Sequence, residues 1–387
     1  MKTEWEKVTL GEVATISSGS TPSRSNASFW NGTIPWVTTT QIQNNIINLN
    51  DVKEFITDDG LKKSSLKIIP KGTLLMAMYG QGKTRGQVGI LNFDSTINQA
   101  CAAIGVSQKV SSLFLYQYFQ FKYEDIRALS NSGGQKNLST EIIKSIEFNL
   151  PPFLEQEKIV DTLSVWDSAI EKTEKLISEK EKKLQWIIIH YFENAEKNKN
   201  WIESKLSDFL KPGDKNPVEN TANYRKITIK LHKNGIEYIN SQRRMVDTRP
   251  FYIRRAGELI IGKQNYFNGS IALLEKDFDG AICSNAIMSF SIAKSINPDF
   301  LLEAISTKKY LREKSVYANG TGQKELSENV FLSFDVKLPS LKVQNEIMEI
   351  VNLQKSEISL LKKQLEQYKL QKQGLMQKLL TGEWRVK

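Results

Sequence analysis

The chain has 387 residues, of which 40% are hydrophobic and 25% charged, and these are the proportions of a folded protein with two or three domains. Its only cysteines, Cys101 and Cys283, and only histidines, His190 and His232, lie far apart in sequence, which excludes a disulfide framework and the usual four-ligand zinc site. Lys and Arg number 53 against 43 Asp and Glu, a net charge of +10, which favours a polyanionic partner, nucleic acid ahead of a membrane; the alternative is a basic but otherwise ordinary protein.

The first residues of the chain predict neither a leader nor a membrane anchor. Residues 1–7 contain no apolar core and no small-residue cleavage site. Nowhere in the sequence do about 18 uncharged apolar residues follow one another, which is what a membrane-spanning helix needs. We therefore expect a cytoplasmic protein that binds no metal.

Two globular regions are predicted, at residues 1–152 and 200–340. Each contains short β-rich runs, such as residues 73–78 and 259–261, separated by turns rich in Gly, Asn and Ser. Each also contains a helical stretch. The fold class predicted for both regions is therefore mixed α/β (α+β).

A long heptad pattern follows each globular region. Apolar or tolerated residues recur at alternating steps of four and three from Ile159 to Tyr191, and the same register returns 188 residues later. At 1.5 Å per residue, some 40 residues make a helix of roughly 60 Å. A lone helix would expose its apolar seam. We therefore predict that residues 153–199 and 341–387 hold two long spacer helices that pair with each other, the second followed by a short tail.

The chain is an internal duplication. An ordered series of matches has a constant offset of 188, and upstream the offset drifts between 185 and 196, as loops of different length would make it. The matched pairs are Gly-Gln-Lys at 134–136 and 322–324, Leu-Pro at 150–151 and 338–339, and Gln156 with Gln344. Such a series predicts two copies of a domain plus a helix.

The positive charge is concentrated outside the predicted helices. Residues 153–199 hold eight Lys and ten Asp or Glu, a net charge of −2, and residues 341–380 hold seven Lys and four Glu, a net charge of +3. The rest of the chain therefore carries +9 of the +10. This is the distribution that a protein needs to bind a phosphate backbone at two sites.

Three motifs resemble catalytic or cofactor sites, but each lacks a necessary part. Residues 77–84 resemble a phosphate-binding loop without its first glycine and without a following helix. Residues 149–153 resemble the Asn-Pro-Pro-aromatic motif of amino-methyltransferases, with a leucine displacing Asn149. Asp299 and Glu303 have the spacing of a helix start rather than of a metal-binding strand. We predict that the chain is not an enzyme.

Several segments resemble the specificity (S) subunit of type I restriction–modification enzymes. They are residues 18–22, 29–32, 34–37, 134–139, 150–159 and 373–382. The resemblance covers essentially the whole chain. The second copy departs from it, because residues 211–217 stand where the first copy has Gly-Ser-Thr-Pro, and we expect a more divergent second recognition domain.

This resemblance implies a non-catalytic subunit that binds double-stranded DNA at a bipartite target with a fixed gap. Residues 1–152 and 200–340 would be two target recognition domains, and the long helices would form an antiparallel coiled coil between them. Its partners would be two copies of an adenine methyltransferase (modification) subunit, with restriction subunits in the full complex and no membrane. S-adenosylmethionine, ATP and magnesium would belong to those partners, so no cofactor is expected on this chain. The alternative is a basic coiled-coil scaffold that binds DNA without sequence specificity.

Candidate DNA contacts follow from the chemistry of base edges, which Arg or Lys read on guanine and Asn or Gln on adenine. We predict contacts for Arg24, Gln41, Gln43, Lys83, Arg85, Gln135, Lys136, Arg225, Arg243, Arg244, Lys263, Asn265, Tyr266, Gln323 and Lys324. The alternatives are a solvated surface position for each polar residue and a shared structural turn for the Gly-Gln-Lys segments. For Tyr266, which stands beside a strand, the alternative is the core.

Overall fold

The computed structural model describes residues 4–80, 82–129, 137–239, 249–317 and 325–386. The chain forms two compact units: unit 1 is Met1–Glu174 with Lys363–Lys387, and unit 2 is Lys175–Lys362. Each unit therefore contains one globular region together with parts of both long helices. In the described ranges no helix is long and apolar enough to cross a membrane.

Unit 1 contains a five-stranded sheet, a three-stranded sheet and a two-stranded pair. The strands are β1 (Glu6–Thr9), β2 (Ala14–Ser18), β3 (Trp30–Val37), β4 (Asn45–Ile47), β5 (Phe55–Ile56), β6 (Leu74–Ala77), β7 (Val88–Leu91), β8 (Thr96–Ile97), β9 (Cys101–Val106) and β10 (Glu147–Leu150). The helices are α1 (Leu10–Val13), α2 (Asp58–Lys63), α3 (Ser112–Phe121), α4 (Tyr123–Ala128), α5 (Thr140–Lys144) and the first part of α6 (Phe153–Ile188). The sheet orders are β2-β9-β6-β7-β4, β5-β3-β8 and β1-β10. In the largest sheet β4 is parallel to β7, and the other neighbours are antiparallel.

The central strands of unit 1 are apolar on both faces because both faces are buried. Along β6, Leu74 and Met76 belong to the cluster that packs on α3, whereas Leu75 and Ala77 belong to a second cluster on the opposite face. Successive side chains of a strand point to opposite faces, so a continuous apolar run is what this position requires.

Unit 2 repeats much of this arrangement with fewer strands in its main sheet. The strands are β11 (Ile202–Lys205), β12 (Leu210–Pro212), β13 (Ile227–Ile229), β14 (Ile236–Tyr238), β15 (Phe251–Ile253), β16 (Leu259–Gly262), β17 (Ile271–Leu273), β18 (Ile282–Ser284), β19 (Ile287–Ile292) and β20 (Asp335–Leu338). The helices are α7 (Pro298–Ile305), α8 (Lys308–Lys314), α9 (Glu328–Leu332) and α10 (Leu341–Leu380), of which the last part belongs to unit 1. The sheet orders are β12-β19-β16-β17, β13-β14, β15-β18 and β11-β20.

The two long helices run antiparallel within each unit. In unit 1 the α6 residues Asp167 and Glu174 form ion pairs with Lys372 and Lys369 of α10, so the numbering rises along one helix as it falls along the other. In unit 2 Glu181 pairs with Lys362, while Ile187 and Ile347 lie in one buried cluster farther along. The predicted seam is therefore a real contact surface.

The first long helix is shorter than the predicted segment. It ends at Ile188 and is followed by a π-helical turn at Ile189–Glu193, whereas the heptad pattern extends to Tyr191 and the predicted segment to residue 199. The π turn holds Phe192 against Phe300, with 4.9 Å between ring centroids.

The duplication is confirmed in three dimensions. The β1–β10 pair of unit 1 corresponds to the β11–β20 pair of unit 2. In each pair the second strand is followed by a long helix. Gln156 and Gln344, which are 188 residues apart, are both buried, and their side-chain amides donate to the carbonyls of Pro151 and Pro339 over 2.8 and 2.9 Å. The fold is therefore two repeated α/β globular regions with two long helices.

Candidate nucleic-acid interface

In unit 1 the loop between β6 and β7 presents a positive charge on a constrained backbone. Gly82 and Gly86 have φ of 65° and 84°, the left-handed region that glycine adopts without strain, and Lys83 is exposed between them. Two side chains of α4 hold the loop: Tyr123 donates its hydroxyl to the Lys83 carbonyl, and Arg127 donates to the Gly82 carbonyl. The position of Lys83 is thus set by α4.

Arg85 lies in this loop and Gln43 lies beside it. The Nη2 of Arg85 donates to the Arg127 carbonyl over 3.0 Å, so part of its guanidinium supports the loop. Gln43 is exposed and precedes Asn44, whose Oδ1 accepts from the Val88 N–H over 3.0 Å. Because Val88 is the first residue of β7, Gln43 lies at the strand end where the Lys83 loop finishes.

Three segments of unit 1 meet just after the end of β6, where the Lys83 loop begins. The Met78 N–H donates to the Ala100 carbonyl over 2.8 Å, and the Leu138 N–H donates to the Met78 carbonyl over 3.0 Å. Leu138 lies two residues after the predicted contacts Gln135 and Lys136, which are outside the described residues. The chain is therefore back at the beginning of the Lys83 loop at Leu138.

Unit 2 repeats the same three-segment junction. The Lys263 N–H donates to the Ala286 carbonyl over 3.0 Å, and the Leu326 N–H donates to the Lys263 carbonyl over 2.9 Å. Leu326 lies two residues after the predicted contacts Gln323 and Lys324, which are also outside the described residues. Lys263 is half-buried, and Asn265, two residues further along the same loop, is exposed.

A cleft of about 390 Å³ lies beside this junction in unit 2. It is lined by Lys226, Arg249, Gln264, Asn265 and, on its floor, apolar residues of β13. Ile239 also lines it, so both ends of the segment that contains the predicted contacts Arg243 and Arg244 reach this cleft. Those two arginines are outside the described residues. Amide and cationic side chains around one recess are the groups that read base edges and bind phosphates.

Arg225 and Arg24 are surface arginines that each stack on aromatic rings. The Arg225 guanidinium lies 3.2 Å from the ring centroid of Tyr238. The Arg24 guanidinium lies 3.9 Å from the ring of Trp30 and forms two hydrogen bonds with Glu54, one of them 3.1 Å long. The hydrogen bonds from Arg24 hold the pKa of the Glu54 carboxyl below its usual range. Arg24 can therefore contact another molecule only with the donors that Glu54 leaves.

Two of the predicted contacts are wrong. Gln41 is only 8% exposed, and its Oε1 accepts from the N–H and hydroxyl of Thr38, 2.9 Å each, which caps a tight turn. Tyr266 is fully buried, and its hydroxyl donates to the Ile305 carbonyl over 2.7 Å. Burial of these side chains leaves no surface for DNA, so both have structural roles.

Four further residues that build these surfaces were not predicted from the sequence. They are Tyr123 and Arg127 in unit 1 and Lys226 and Arg249 in unit 2. For the first two, a tyrosine and an arginine on the face of a short helix carried no signal, because only the folded chain brings α4 to the loop. Among the described residues, no group of three His, Cys, Asp or Glu side chains has an arrangement that could hold a metal ion.

Comparison with known proteins agrees with the duplicated architecture. The family model of the type I restriction modification DNA specificity domain matches residues 2–181 and again residues 198–370. The chain belongs to this family. The two matches follow the two copies that the internal offset defines.

Named relatives of the specificity family share moderate to low sequence identity with the chain. The MjaIX specificity subunit of Methanocaldococcus jannaschii is 30% identical over 227 residues, which cover 54% of this chain and 52% of that protein. The EcoR124I/EcoR124II specificity subunit of Escherichia coli is 26% identical over 43% of this chain and 41% of its own length. The chain thus spans about half the length of these two relatives. The MjaVIII specificity subunit is 21% identical over 99% of this chain and 94% of its own length.

Solved structures in the same family share the fold. The S subunit from M. genitalium matches with a TM-score of 0.59 at 16% identity, over 98% of this chain and 97% of that one. HsdS from Thermoanaerobacter tengcongensis matches with a TM-score of 0.51 at 15% identity, over 99% and 98%. At such identities the likeness concerns the arrangement of elements and not the residues that contact a ligand.

Proposed function

We propose that this chain is a non-catalytic DNA-recognition subunit, which reads a bipartite double-stranded target with residues 1–152 and 200–340 as two target recognition domains. The observation that carries the proposal is the junction that both units repeat. In each, a loop bearing exposed polar or cationic side chains starts where the chain returns from a Gly-Gln-Lys segment, at Met78 and Leu138 or at Lys263 and Leu326. Two copies of one surface suit two half-sites of one duplex.

Within each half-site we assign phosphate contacts to cationic side chains and base contacts to amide side chains. Lys83 has an ammonium on a stiff glycine-flanked loop, which suits a phosphate oxygen. Asn265, at the edge of the cleft in unit 2, has the donor and acceptor that pair with adenine N7 and N6 in the major groove. Phosphate contacts fix the register of a protein on DNA, and base contacts supply the sequence information.

We further propose that the outer faces of the long helices bind methyltransferase subunits. In unit 1 the side chains of Leu154 and Val165 on α6 are 73% and 67% exposed, and in unit 2 those of Leu353 and Leu360 on α10 are 65% and 63% exposed. Large apolar side chains on a helix surface favour a protein partner. Because the two units are copies, we expect two methyltransferase subunits, with S-adenosylmethionine, ATP and magnesium bound by partners in a cytoplasmic complex that includes restriction subunits.

The decisive experiment is to coexpress the chain with its methyltransferase partner and map methylated adenines across a genome. A bipartite motif with a fixed gap is the expected result. Asn265→Ala should relax the motif in one half only, with a loss of discrimination of about 1–3 kcal/mol at one base pair. Methylation without any motif would favour the non-specific scaffold.

Lys83→Ala separates a phosphate contact from a base contact. We expect weaker binding to all sequences and a salt-dependence slope reduced by about 1, with an unchanged motif. Lys62→Ala, an exposed lysine of α2, is the matched control and should leave the slope unchanged.

For the partner proposal, native mass spectrometry of the coexpressed complex should show two methyltransferase subunits per chain, and a single one would contradict it.

A further inference from the structure

Two equivalent ion pairs between α6 and α10 have the same polarity in both units. The duplication offset of 188 makes residue 174 of α6 equivalent to residue 362 of α10, and residue 181 equivalent to residue 369. In unit 1 the Nζ of Lys369 lies 2.9 Å from Oε1 of Glu174. In unit 2 the Nζ of Lys362 lies 2.7 Å from Oε1 of Glu181. These are two versions of one contact, and in both α6 supplies the glutamate and α10 the lysine.

A third pair with the same polarity is partly buried, and a fourth pair, Lys180 with Glu357 in unit 2, has the opposite polarity. In unit 1 the Nζ of Lys372 lies 2.5 Å from Oδ1 of Asp167, and Lys372 is only 8% exposed. The equivalent positions of the other copy hold Leu184 and Lys355. A second α10 in place of α6 would therefore set Lys355 against the buried Lys372. A second α6 in place of α10 would set Leu184 against Asp167.

We propose that this seam is a heterotypic interaction surface: each half of the chain accepts the other half as its partner and rejects a second copy of itself. The inference does not rest on the proposed function, because it concerns contacts inside the chain. The exposed pairs contribute modestly, since solvent screens them. The buried Lys372 matters most, because an ammonium removed from water without a carboxylate partner is strongly destabilising. Self-pairing of the C-terminal half is thus the most disfavoured arrangement.

The test uses the full chain, nicked after purification at a protease site inserted after Asn198, in the turn beyond α6. The nicked protein is unfolded in urea and refolded, and native mass spectrometry counts the mixed pair and the two self-pairs. We expect the mixed pair to exceed each self-pair by at least about tenfold, which corresponds to about 1.4 kcal/mol. The statistical distribution of the three species would overturn the proposal.

Lys372→Leu, which installs the residue found at the equivalent position of the first copy, identifies the cause. It should raise the C-terminal self-pair by about tenfold relative to the mixed pair. Lys363→Leu, at an exposed neighbouring position of α10, is the matched control and should leave the distribution unchanged. Equal effects of the two substitutions would overturn the role of Lys372.

A second measurement on the intact chain answers the question if the nicked halves do not refold. Glu174→Lys with Glu181→Lys, and separately Lys362→Glu with Lys369→Glu, should each lower the melting temperature by about 3 °C. The four substitutions together re-create complementary pairs and should restore it. Failure of the combined variant to recover would overturn the proposal.

Discussion

Unit 1 and unit 2 attach their globular regions to the long helices with one shared contact and one inverted contact. Gln156 and Gln344 occupy the same position in both units and bond to the backbone just before α3 and α7. Six residues beyond those backbone groups stand Gln117 and Glu303. The Nε2 of Gln117 donates to Asp167 over 2.7 Å, whereas Glu303 accepts from Lys355 over 2.5 Å, and Asp167 and Lys355 are themselves 188 residues apart.

The difference teaches which contacts a duplicated fold keeps. A side chain that bonds to backbone groups must match a fixed geometry of donors and acceptors, so both units retain glutamine. A contact between two side chains requires only that one donates and the other accepts. The donor and the acceptor can therefore exchange places when both residues change. Through this contact the globular region of unit 1 bonds to α6, and that of unit 2 bonds to α10. Each region therefore prefers the helix that carries the complementary group.

The largest expected effect comes from removing the shared contact. The buried side chain of Gln156 makes three hydrogen bonds to backbone groups and that of Gln344 makes two, one of them fully buried in each case. Because each buried backbone group left without a partner costs about 1–3 kcal/mol, Gln156→Leu should lose about 3–5 kcal/mol of unfolding free energy and Gln344→Leu about 2–4 kcal/mol. Urea unfolding followed by circular dichroism measures both. Gln367→Leu on the exposed side of α10 is the control, and losses no larger than its own would contradict the shared role.

The inverted contact should respond to pH in one unit. Burial raises the pKa of the Glu303 carboxyl, but the ammonium groups of Lys233 and Lys355 outweigh it and hold the pKa below its usual range. The carboxylate therefore stabilises the fold fully above the usual carboxyl pKa, and the contribution is lost as pH falls through the lowered value. Glu303→Gln should cost about 1–3 kcal/mol at pH 7, less than a fully buried pair because both lysines are partly exposed, and should remove the loss of stability seen as the pH falls through the lowered pKa.

The reciprocal change in unit 1 sharpens this comparison. Gln117→Glu gives unit 1 the carboxylate of unit 2, but here it faces Asp167. We expect a loss of about 1–2 kcal/mol at pH 7 that diminishes as the solution is acidified, since protonation removes the repulsion. Thermal melts between pH 3 and pH 7 measure both variants. An identical pH profile for the two would contradict the inverted polarity.

The sequence predicted the features that depend on periodicity and repetition, and missed those that depend on distant contacts. The offset of 188 identified the two copies because it is a repeat within the sequence. The heptad pattern identified the helix pair because it is a local periodicity. Gln41 was predicted as a surface contact, and only the packed structure places it inside, whereas for Tyr266 the core was already the alternative and the structure selects it. The hydrogen bond from Arg127 to the Gly82 carbonyl of the Lys83 loop joins residues more than 40 positions apart, so no local sequence pattern predicts it. The proposed domain boundaries at 152 and 340 stay predictions.

The smallest effects should be equal in the two units. Ser139 is the N-cap residue before α5, and its Oγ accepts from the Ile142 N–H over 3.2 Å. Ser327 is the N-cap residue before α9, and its Oγ accepts from the Val330 N–H over 3.3 Å. Loss of a serine cap costs about 1 kcal/mol, so Ser139→Ala and Ser327→Ala should each lower the unfolding free energy by that amount. Ser164→Ala, within α6, is the control and should change it by a few tenths of that, because alanine favours a helix. These caps directly follow Leu138 and Leu326, so equal losses mean that both units fix the chain after these two residues by the same cap. A clearly larger loss in one unit would mean that the other has replaced the cap with different contacts, and that the two junctions are not equivalent surfaces.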